Sequence, residues 1–207
     1  VSSVLQNREL INNYLVDVDS YTYKRGLFSF VKVVNGFFQS SKFINNTPKI
    51  KYEYIKKAGE YLDNIPKDMQ MVFVHIRRGD YLEWSILDKK NPSLPFSYYK
   101  AAIEQLESQL DNPFFVFLSN DSKYIEQEFG YIENKKVSKN KVGVDMAIMM
   151  SCENAVVSSS TLSWWGVNLI KTRNRIIAPK YWLGWQSEIW YPKGIELDFV
   201  EYIDVKK

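Results

Sequence analysis

The chain has 207 residues, is 45% hydrophobic and 25% charged, and carries a formal net charge of +3. This length allows one sizeable hydrophobic core with a small additional lobe, and the composition is ordinary for a globular protein. So mild a charge, without a long Lys/Arg run, argues against nucleic acid as a partner.

The single cysteine, Cys152, lies in an apolar stretch. One cysteine excludes an internal disulfide framework and a Cys-based zinc site, and its setting predicts a buried thiol. No apolar run reaches the roughly 18–20 residues that span a bilayer. The chain begins with Val and without a signal-like segment, so its natural N-terminus and an anchor could lie outside this sequence.

Predicted elements become clear only after residues 1–48, which mix aromatic and polar residues and end in a turn-like Asn-Asn-Thr-Pro. Helices are then predicted at 54–62, 99–110, 121–129 (closed by Gly130), 144–152 and 161–171, and strands at 71–76, 114–118, 155–157 and 175–178. Because helices alternate with short, almost continuously apolar strands, we predict an α/β fold, a Rossmann-like doubly wound parallel sheet covered by helices on both faces.

Polar clusters follow three of the predicted strands. They are His75, Arg77, Arg78, Gly79 and Asp80; then Ser119, Asn120, Asp121 and Ser122; then Ser158, Ser159, Ser160 and Thr161. Ligands of open α/β sheets bind at the carboxyl ends of the strands, so these clusters predict the functional site.

Two of these clusters suit an anionic ligand. Arg77 or Arg78 is a natural diphosphate clamp, because guanidinium presents a planar fork of donors. The hydroxyls and backbone N–H groups of residues 158–161, at a predicted helix N-terminus, also suit an anion. Simple N-capping by Ser160 or Thr161 is the structural alternative.

The remaining polar residues have functional and structural interpretations. His75, which should project to the same side as Arg77 if the strand continues, could contact a ligand or be a satisfied structural histidine. Asp121 could accept hydrogen bonds from a guanine edge or cap a helix. Arg78 and Asp80 could simply pair with each other. An adhesion role for the Arg-Gly-Asp tripeptide is disfavoured, because it follows a buried strand.

The run at residues 75–81, His-Ile-Arg-Arg-Gly-Asp-Tyr, resembles the His-x-Arg-Arg-x-Asp signature of the α-1,2-fucosyltransferases. Further similar segments follow in the family's order at residues 36–43, 98–103, 115–121 and 145–152. The most specific is Ser-Ser-Ser-Thr-Leu-Ser-Trp-Trp-Gly at residues 158–166, which is similar to the family's Ser-Thr-Phe-Ser-Trp-Trp-Gly block. The resemblance covers about residues 36 to 182.

This resemblance implies an inverting, metal-free glycosyltransferase of the GT-B architecture, with two facing Rossmann-like domains and GDP-fucose as donor. It implies no cofactor, and a glycan acceptor with a galactose-like hydroxyl. By the same analogy Arg77 contacts the β-phosphate. The other donor-binding candidates are His75, Arg78, Asn120, Asp121, Ser159, Ser160 and Thr161.

Catalytic roles are expected of three residues. Arg77, with the helix N-terminus, would stabilise the charge that builds on departing GDP. Asp80 and Glu83 are the carboxylates considered as general base, although Asp80 could instead orient one of the arginines. The base could also lie outside this chain.

The sequence departs from the family in its N-terminal part and at two site positions. The family's Gly-Asn-Gln motif has no counterpart here, so we expect the N-terminal part of a typical member to be missing. We therefore assign residues 1–65 to a partly helical remnant of the N-terminal or linker region, and 66–207 to the nucleotide-sugar-binding domain. The family often has Asp in place of Asn120, and Asn before Ser160.

Two further features have plain structural alternatives. Asp17 and Asp19 match the Asp-x-Asp pair that binds Mn²⁺ in another glycosyltransferase architecture, but they lie outside the strand-end clusters. Trp182, Trp185 and Trp190 could stack on sugars, although core packing is favoured. Trp164 and Trp165 are expected to wedge their helix in place.

The sequence therefore predicts transfer of L-fucose from GDP-fucose in α-1,2 linkage. The alternatives are a non-catalytic GDP-sugar-binding fragment or paralogue, and a glycosyltransferase that uses another nucleotide sugar. Composition and family lead us to expect a bacterial cytoplasmic protein that associates peripherally with the inner membrane, or a Golgi protein in a eukaryote.

Overall fold

The computed structural model describes residues 19–24, 30–35 and 48–206. Its strands are β1 (Asp19–Lys24), β2 (Phe30–Asn35), β3 (Gln70–Ile76), β4 (Ser85–Ile86), β5 (Lys89–Lys90), β6 (Pro113–Ser119), β7 (Lys135–Val137), β8 (Asn154–Val156), β9 (Ile176–Pro179) and β10 (Glu201–Ile203). Its helices are α1 (Tyr52–Leu62), α2 (Phe96–Gln109), α3 (Ser122–Glu128), α4 (Val142–Ser151) and α5 (Thr161–Leu169). A 3₁₀ turn, Gly79–Leu82, follows β3.

Six of these strands form one parallel sheet in the spatial order β10-β9-β8-β3-β6-β7. Numbered by their order along the chain within this sheet, they read 3-2-1-4-5-6 from the β7 edge, which is the order of the Rossmann fold. Chain direction across the sheet reverses between β3 and β8, so the topological switch point lies there. The structure confirms the predicted doubly wound α/β fold.

Alternate residues of the strands pack on opposite faces of this sheet. One face buries Phe73 of β3 and Val116 of β6 against α1, α4 and α5. The other buries Val72 and Val74 of β3 against α2 and α3. Both faces are covered because near-continuous apolar strands leave no face suited to water.

Two sheet strands, β7 and β10, were not predicted from the sequence. Each has three residues, Lys-Lys-Val and Glu-Tyr-Ile, and lies at an edge of the sheet. The outermost strand of a sheet forms through backbone hydrogen bonds to its one neighbouring strand, so it needs no apolar run of its own. The hairpins β1–β2 and β4–β5 were not predicted either.

The predicted helices are all present, with shifted ends. α5 ends at Leu169 instead of residue 171, because Ile170 is already extended. Gly130 does follow α3, but without the left-handed backbone of a common glycine cap. A Cβ there would approach the carbonyl oxygen of Glu126 to 2.9 Å, so close backbone contact explains the glycine.

α1 lies within the segment assigned to residues 1–65, and it packs on α4. Its Ala58 is 1% exposed within the core that also contains Ala147 and Trp164. These contacts attach α1 to the sheet, while the domain boundary at residue 66 stays a prediction.

Several sequence predictions concern apolar side chains. Cys152 is buried as predicted, and burial raises its thiol pKa to about 12, so it is inert at neutral pH. Trp182 and Trp185 are buried, which confirms core packing for both. Trp190, partly buried, packs edge-on against Tyr202 with ring centroids 5.0 Å apart. No helix among residues 48–206 is long and apolar enough to cross a membrane.

Asp17 of the candidate Asp-x-Asp pair lies outside the described residues, as do residues 36–43. Asp19 begins β1. In the part of the chain that the structure describes, no group of three or more His, Cys, Asp or Glu side chains is placed to hold a metal ion.

Candidate functional site

The three predicted polar clusters meet at one edge of the sheet, around the switch point. β3 lies between β6 and β8 in the sheet, and all three run parallel, so their carboxyl ends are neighbours. Nδ1 of His75, at the end of β3, lies 2.7 Å from Oγ of Ser158, which follows β8. We call the residues gathered here, His75, Arg77, Arg78, Asp80, Asn120, Asp121 and residues 158–161, the strand-end site.

His75 is a buried, neutral member of this site. It is only 4% exposed, and burial, reinforced by the nearby charge of Arg77, lowers its pKa to about 3. The imidazole is therefore uncharged at neutral pH, and its contact with Ser158 ties β3 to the loop before α5. The structural role considered for His75 is thus observed, while contact with a ligand stays a prediction.

Arg77 lies on the α5 side of the strand-end site. Its Nη2 pairs with Oδ1 of Asp80 at 2.7 Å, and its guanidinium carbon lies 5.4 Å from the ring centroid of Tyr81. The Tyr81 hydroxyl in turn donates to the carbonyl oxygen of Ser159 at 3.0 Å. A single buried tyrosine therefore links Arg77 to the loop that opens α5.

The loop before α5 is fixed by its own hydrogen bonds. Ser160 is the N-cap, and its Oγ accepts from the backbone N–H of Leu162, so the predicted capping role is confirmed. Oγ of Ser163 donates to the carbonyls of Ser158 and Ser160. Ser159 is 2% exposed, and its hydroxyl has no hydrogen-bond partner among the described residues. A buried hydroxyl without a partner is costly, which marks it as a candidate ligand donor.

Trp164 anchors the start of α5 from below, as predicted. It is 1% exposed, and its indole N–H donates to the carbonyl of Ile195 at 2.9 Å. Trp165 packs edge-on against it, with ring centroids 5.2 Å apart. The two tryptophans therefore hold the helix that carries Ser160 and Thr161.

Arg78 points away from α5, toward α3. Its Nε donates to Oδ2 of Asp121 at 3.2 Å, and its guanidinium carbon stacks 3.9 Å from the ring centroid of Tyr124. Its backbone N–H donates to Oδ1 of Asn120 at 3.0 Å. Asp121 is the N-cap of α3, since its Oδ1 accepts from the N–H of Tyr124, so its predicted capping role is confirmed.

Pairing of Arg78 with Asp80, considered from the sequence, is wrong. Asp80 pairs with Arg77, and Arg78 pairs with Asp121. The reason is that the chain turns sharply after Arg77: Arg78 leaves the strand conformation and Gly79 has φ +53°. The turn sends the two adjacent arginines to opposite sides of the β3 end.

Gly79 is required by two features of this turn. Its φ is left-handed, and a Cβ would lie 2.4 Å from Nδ2 of Asn120. Any other residue would displace the amide that accepts the backbone N–H of Arg78. The glycine therefore lets the turn after β3 pass close to Asn120, which follows β6.

The two candidate bases are placed differently. Both are exposed: Asp80 is bound to Arg77, and Glu83 lies one turn later, where its backbone N–H donates to the carbonyl of Asp80. Asp80 is thereby within the strand-end site, and Glu83 borders it.

A fourth polar cluster, missed from the sequence, follows β7 at the same edge. Oγ of Ser138 donates to Oδ1 of Asp145 at 2.5 Å, and burial raises the pKa of that carboxyl. The buried hydroxyl of Tyr61 has no hydrogen-bond partner within residues 48–206, and burial together with the charge of Asp145 raises its pKa to about 12. Only the similarity of residues 145–152 to the family could have indicated this cluster, because β7 itself was not predicted.

Fold and strand-end site together define a doubly wound α/β protein with cationic and hydroxyl donors at its switch point. The chain belongs to glycosyl transferase family 11, whose profile matches residues 11–188. This match confirms the resemblance found in the sequence motifs and makes the chain a member of a transferase family.

The chain is similar to curated relatives and to solved structures of glycosyltransferases. The O-antigen biosynthesis glycosyltransferase WbnK of Escherichia coli is 33% identical over 53% of this chain and 38% of its own length. An alpha-1,2-colitosyltransferase of Escherichia coli is 28% identical over 71% of this chain and 54% of its own length. NodZ alpha-1,6-fucosyltransferase, soaked with GDP-fucose, has a TM-score of 0.43 at 11% identity, over 63% of this chain and 45% of that one. The chain thus spans about half the length of the curated relatives or less.

Proposed function

We propose that this chain carries the GDP-sugar-binding half of an inverting glycosyltransferase, which transfers L-fucose from GDP-fucose to a galactose-like hydroxyl in α-1,2 linkage. Family membership supports the transferase reaction. The observation that carries the donor assignment is the link from Arg77 through Tyr81 to Ser159 at the switch point. Doubly wound sheets bind nucleotides there.

The diphosphate would lie between Arg77 and the N-terminus of α5. Guanidinium, the hydroxyl of Ser159 and the first N–H groups of the helix all favour phosphate oxygens. Thr161, at the first position of α5, and Ser160 line the same loop. The family resemblance adds His75 and Asp121 as contacts of the guanine, and within the chain they already bond to Ser158 and Arg78, respectively. Asn120 and Arg78 would order the neighbouring loop.

In the transfer step, the bond from the anomeric carbon to the β-phosphate oxygen breaks, and its electron pair stays on GDP. The acceptor oxygen bonds to the same carbon from the opposite face and loses its proton to a base. Arg77 and the α5 N-terminus are fixed before the reaction, so they would stabilise the negative charge that develops on GDP. No step requires a metal ion.

The general base has three candidates. The ion pair with Arg77 favours an orienting role for Asp80. Glu83 is the second candidate, and a base from another part of the whole protein is the third. We also propose that a GT-B partner domain takes part in acceptor binding, that the nucleotide-sugar-binding domain begins at residue 66, and that the protein is cytoplasmic and peripherally associated with the membrane.

The donor sugar has a second candidate. The relative that matches 71% of this chain is an alpha-1,2-colitosyltransferase, and colitose is the 3-deoxy form of L-fucose. Turnover of GDP-fucose and GDP-colitose by the same preparation separates the two donors. A chain that binds GDP but converts neither donor would match the non-catalytic alternative.

Calorimetric titration with GDP, UDP and ADP tests the nucleotide assignment. We expect GDP to bind at least about tenfold tighter than UDP or ADP, a preference of about 1.4 kcal/mol. Equal affinities would contradict a GDP-sugar donor and favour another nucleotide sugar. Absence of binding by a folded chain would contradict the proposal that this half alone holds the donor.

A further inference from the structure

A concave site shares Arg78 with the strand-end site and lies on the face of the sheet opposite α5. It has a volume of about 290 Å³ and lies between the β4–β5 hairpin, the start of α2, and α3. The lining residues that provide its charge, its amide groups and its aromatic surface are Arg78, Lys90, Asn91, Phe96, Trp185 and Gln186. We call it the hairpin pocket.

The charge of the hairpin pocket is positive. Arg78 and Lys90 are the charged residues among those lining it, and none of the lining residues is a carboxylate. Asp121, which pairs with Arg78 from behind, offsets one of the two charges. Lys90 is exposed and has no ion-pair partner in the portion of the chain described, so one positive charge remains for a ligand.

The pocket wall is held in place by side-chain to backbone hydrogen bonds. Nε2 of Gln186 donates to the carbonyls of Lys90 and Asn91, at 3.0 and 2.8 Å. The indole N–H of Trp185 donates to the carbonyl of Pro92 at 3.1 Å. Three bonds therefore fasten the end of the hairpin to the C-terminal segment, and a rigid wall loses little entropy when a ligand binds.

The position of the pocket relates it to the strand-end site. Arg77 turns toward α5, and its neighbour Arg78 turns toward the pocket. A molecule in the pocket would thus lie beside a diphosphate held by Arg77 without competing for it. The volume is at the lower edge of the roughly 300–1,000 Å³ of small-molecule sites, which suits one sugar ring and not a chain of several.

We propose that the hairpin pocket is an acceptor-side subsite for a sugar that bears an acidic group, a carboxylate or a phosphate. Arg78 and Lys90 bind the acidic group. Oε1 of Gln186 and Nδ2 of Asn91 bind the hydroxyls, because Nε2 of Gln186 and Oδ1 of Asn91 already bond within the chain. Phe96 provides the apolar surface on which a sugar ring packs, and the buried Trp185 supports the pocket wall from the core. The assignment to the acceptor side rests on the proposed transferase function.

The test uses three sugars with one ring: galactose, galacturonic acid and galactose 6-phosphate. Each is titrated into the chain by ligand-observed NMR, and GDP binding is measured separately by calorimetry. We expect both acidic sugars to bind at least about tenfold tighter than galactose, with Lys90→Gln abolishing that preference. Lys89→Gln is the matched control, because it removes the same charge from the same strand outside the pocket lining.

Each other outcome overturns the inference. Equal binding of galactose and the acidic sugars means that no anion site exists. An equal loss in Lys89→Gln means that only the general charge of the hairpin matters. If GDP displaces the sugars, or Lys90→Gln weakens GDP binding, the pocket belongs to the nucleotide. Since GDP binding is read independently, failure of the donor assignment is distinguished from failure of the pocket.

Discussion

Nδ1 of His75 lies 2.7 Å from Oγ of Ser158, and this contact spans the switch point of the sheet. Both residues are buried, at 4% and 2% exposure. The hydrogen bond joins the end of β3 to the loop that opens α5, so it fixes the separation of the two halves of the proposed diphosphate site. The positions of the groups proposed to bind the diphosphate therefore depend on the buried contact between His75 and Ser158.

Ser158→Ala should destabilise the chain by about 1–3 kcal/mol, because it leaves a buried imidazole nitrogen without its partner. Urea unfolding measures the change. Ser108→Ala removes a hydroxyl that bonds on the exposed surface of α2, and it should change stability by less than about 0.5 kcal/mol. Similar losses of stability in both variants would contradict a stabilising hydrogen bond between His75 and Ser158.

His75 should make stability depend on pH. Its folded pKa of about 3 lies below the unfolded value near 6.5, so the unfolded chain binds more protons between these values. Its contribution is complete above pH 6.5 and is lost as the pH falls toward 3; between pH 7 and 5 the loss is about 2 kcal/mol. His75→Gln, which does not titrate, should flatten this slope in urea unfolding at pH 5, 6 and 7. An unchanged slope would mean that the histidine is not kept neutral by the fold.

Gly79→Ala should destabilise the turn after β3 by roughly 1–3 kcal/mol, through its left-handed φ and its contact with Asn120. The added Asn120→Ala removes the clash but not the backbone strain, so part of the loss should return when the double variant is compared with Asn120→Ala alone, which already lacks the hydrogen bond to the N–H of Arg78. Gly59→Ala is the control, because nothing lies within 4 Å of its Cβ in α1, and helix propensity predicts a stabilisation of about 0.5–1 kcal/mol. No recovery in the double variant would contradict the contact with Asn120.

Asp80→Asn distinguishes an orienting carboxylate from a general base. The Arg77–Asp80 pair is about one-third exposed on each side, so its net energy is roughly 0–1 kcal/mol. We expect a two- to fivefold rise in the GDP dissociation constant, beyond that of the exposed control Asp198→Asn. Unchanged GDP affinity with turnover lowered by about 10²-fold or more would instead identify Asp80 as the base.

The sequence predicts the central sheet well for a physical reason. β3 and β6 are apolar on both faces and long enough to be recognised alone, and polar residues begin where each strand ends. The three clusters could be placed at one edge because parallel strands share a carboxyl edge. Edge strands such as β7, held by one neighbour, carry no such pattern.

The ion pairs and long-range hydrogen bonds of the strand-end site and of the hairpin pocket could not be predicted from the sequence. Whether Asp80 pairs with Arg77 or Arg78 depends on the φ of Gly79, a single backbone angle that local spacing does not specify. The hairpin pocket depends on Trp185 and Gln186, which lie 93 to 96 residues beyond the backbone groups that they bind. Contacts at that separation follow from the assembled fold alone.

The most direct test of the donor site is the effect of Arg77→Ala on the binding of GDP and GMP. Arg77 is proposed to hold the β-phosphate, which GMP lacks, so GDP affinity should fall by about 10- to 100-fold and GMP affinity by less than about threefold. Arg175→Ala is the control, because it removes an exposed arginine that lies just before β9, at the amino ends of the parallel strands and away from the strand-end site. It should change neither affinity. Wild-type GDP binding by Arg77→Ala, or equal losses for both nucleotides, would contradict a diphosphate clamp at the switch point.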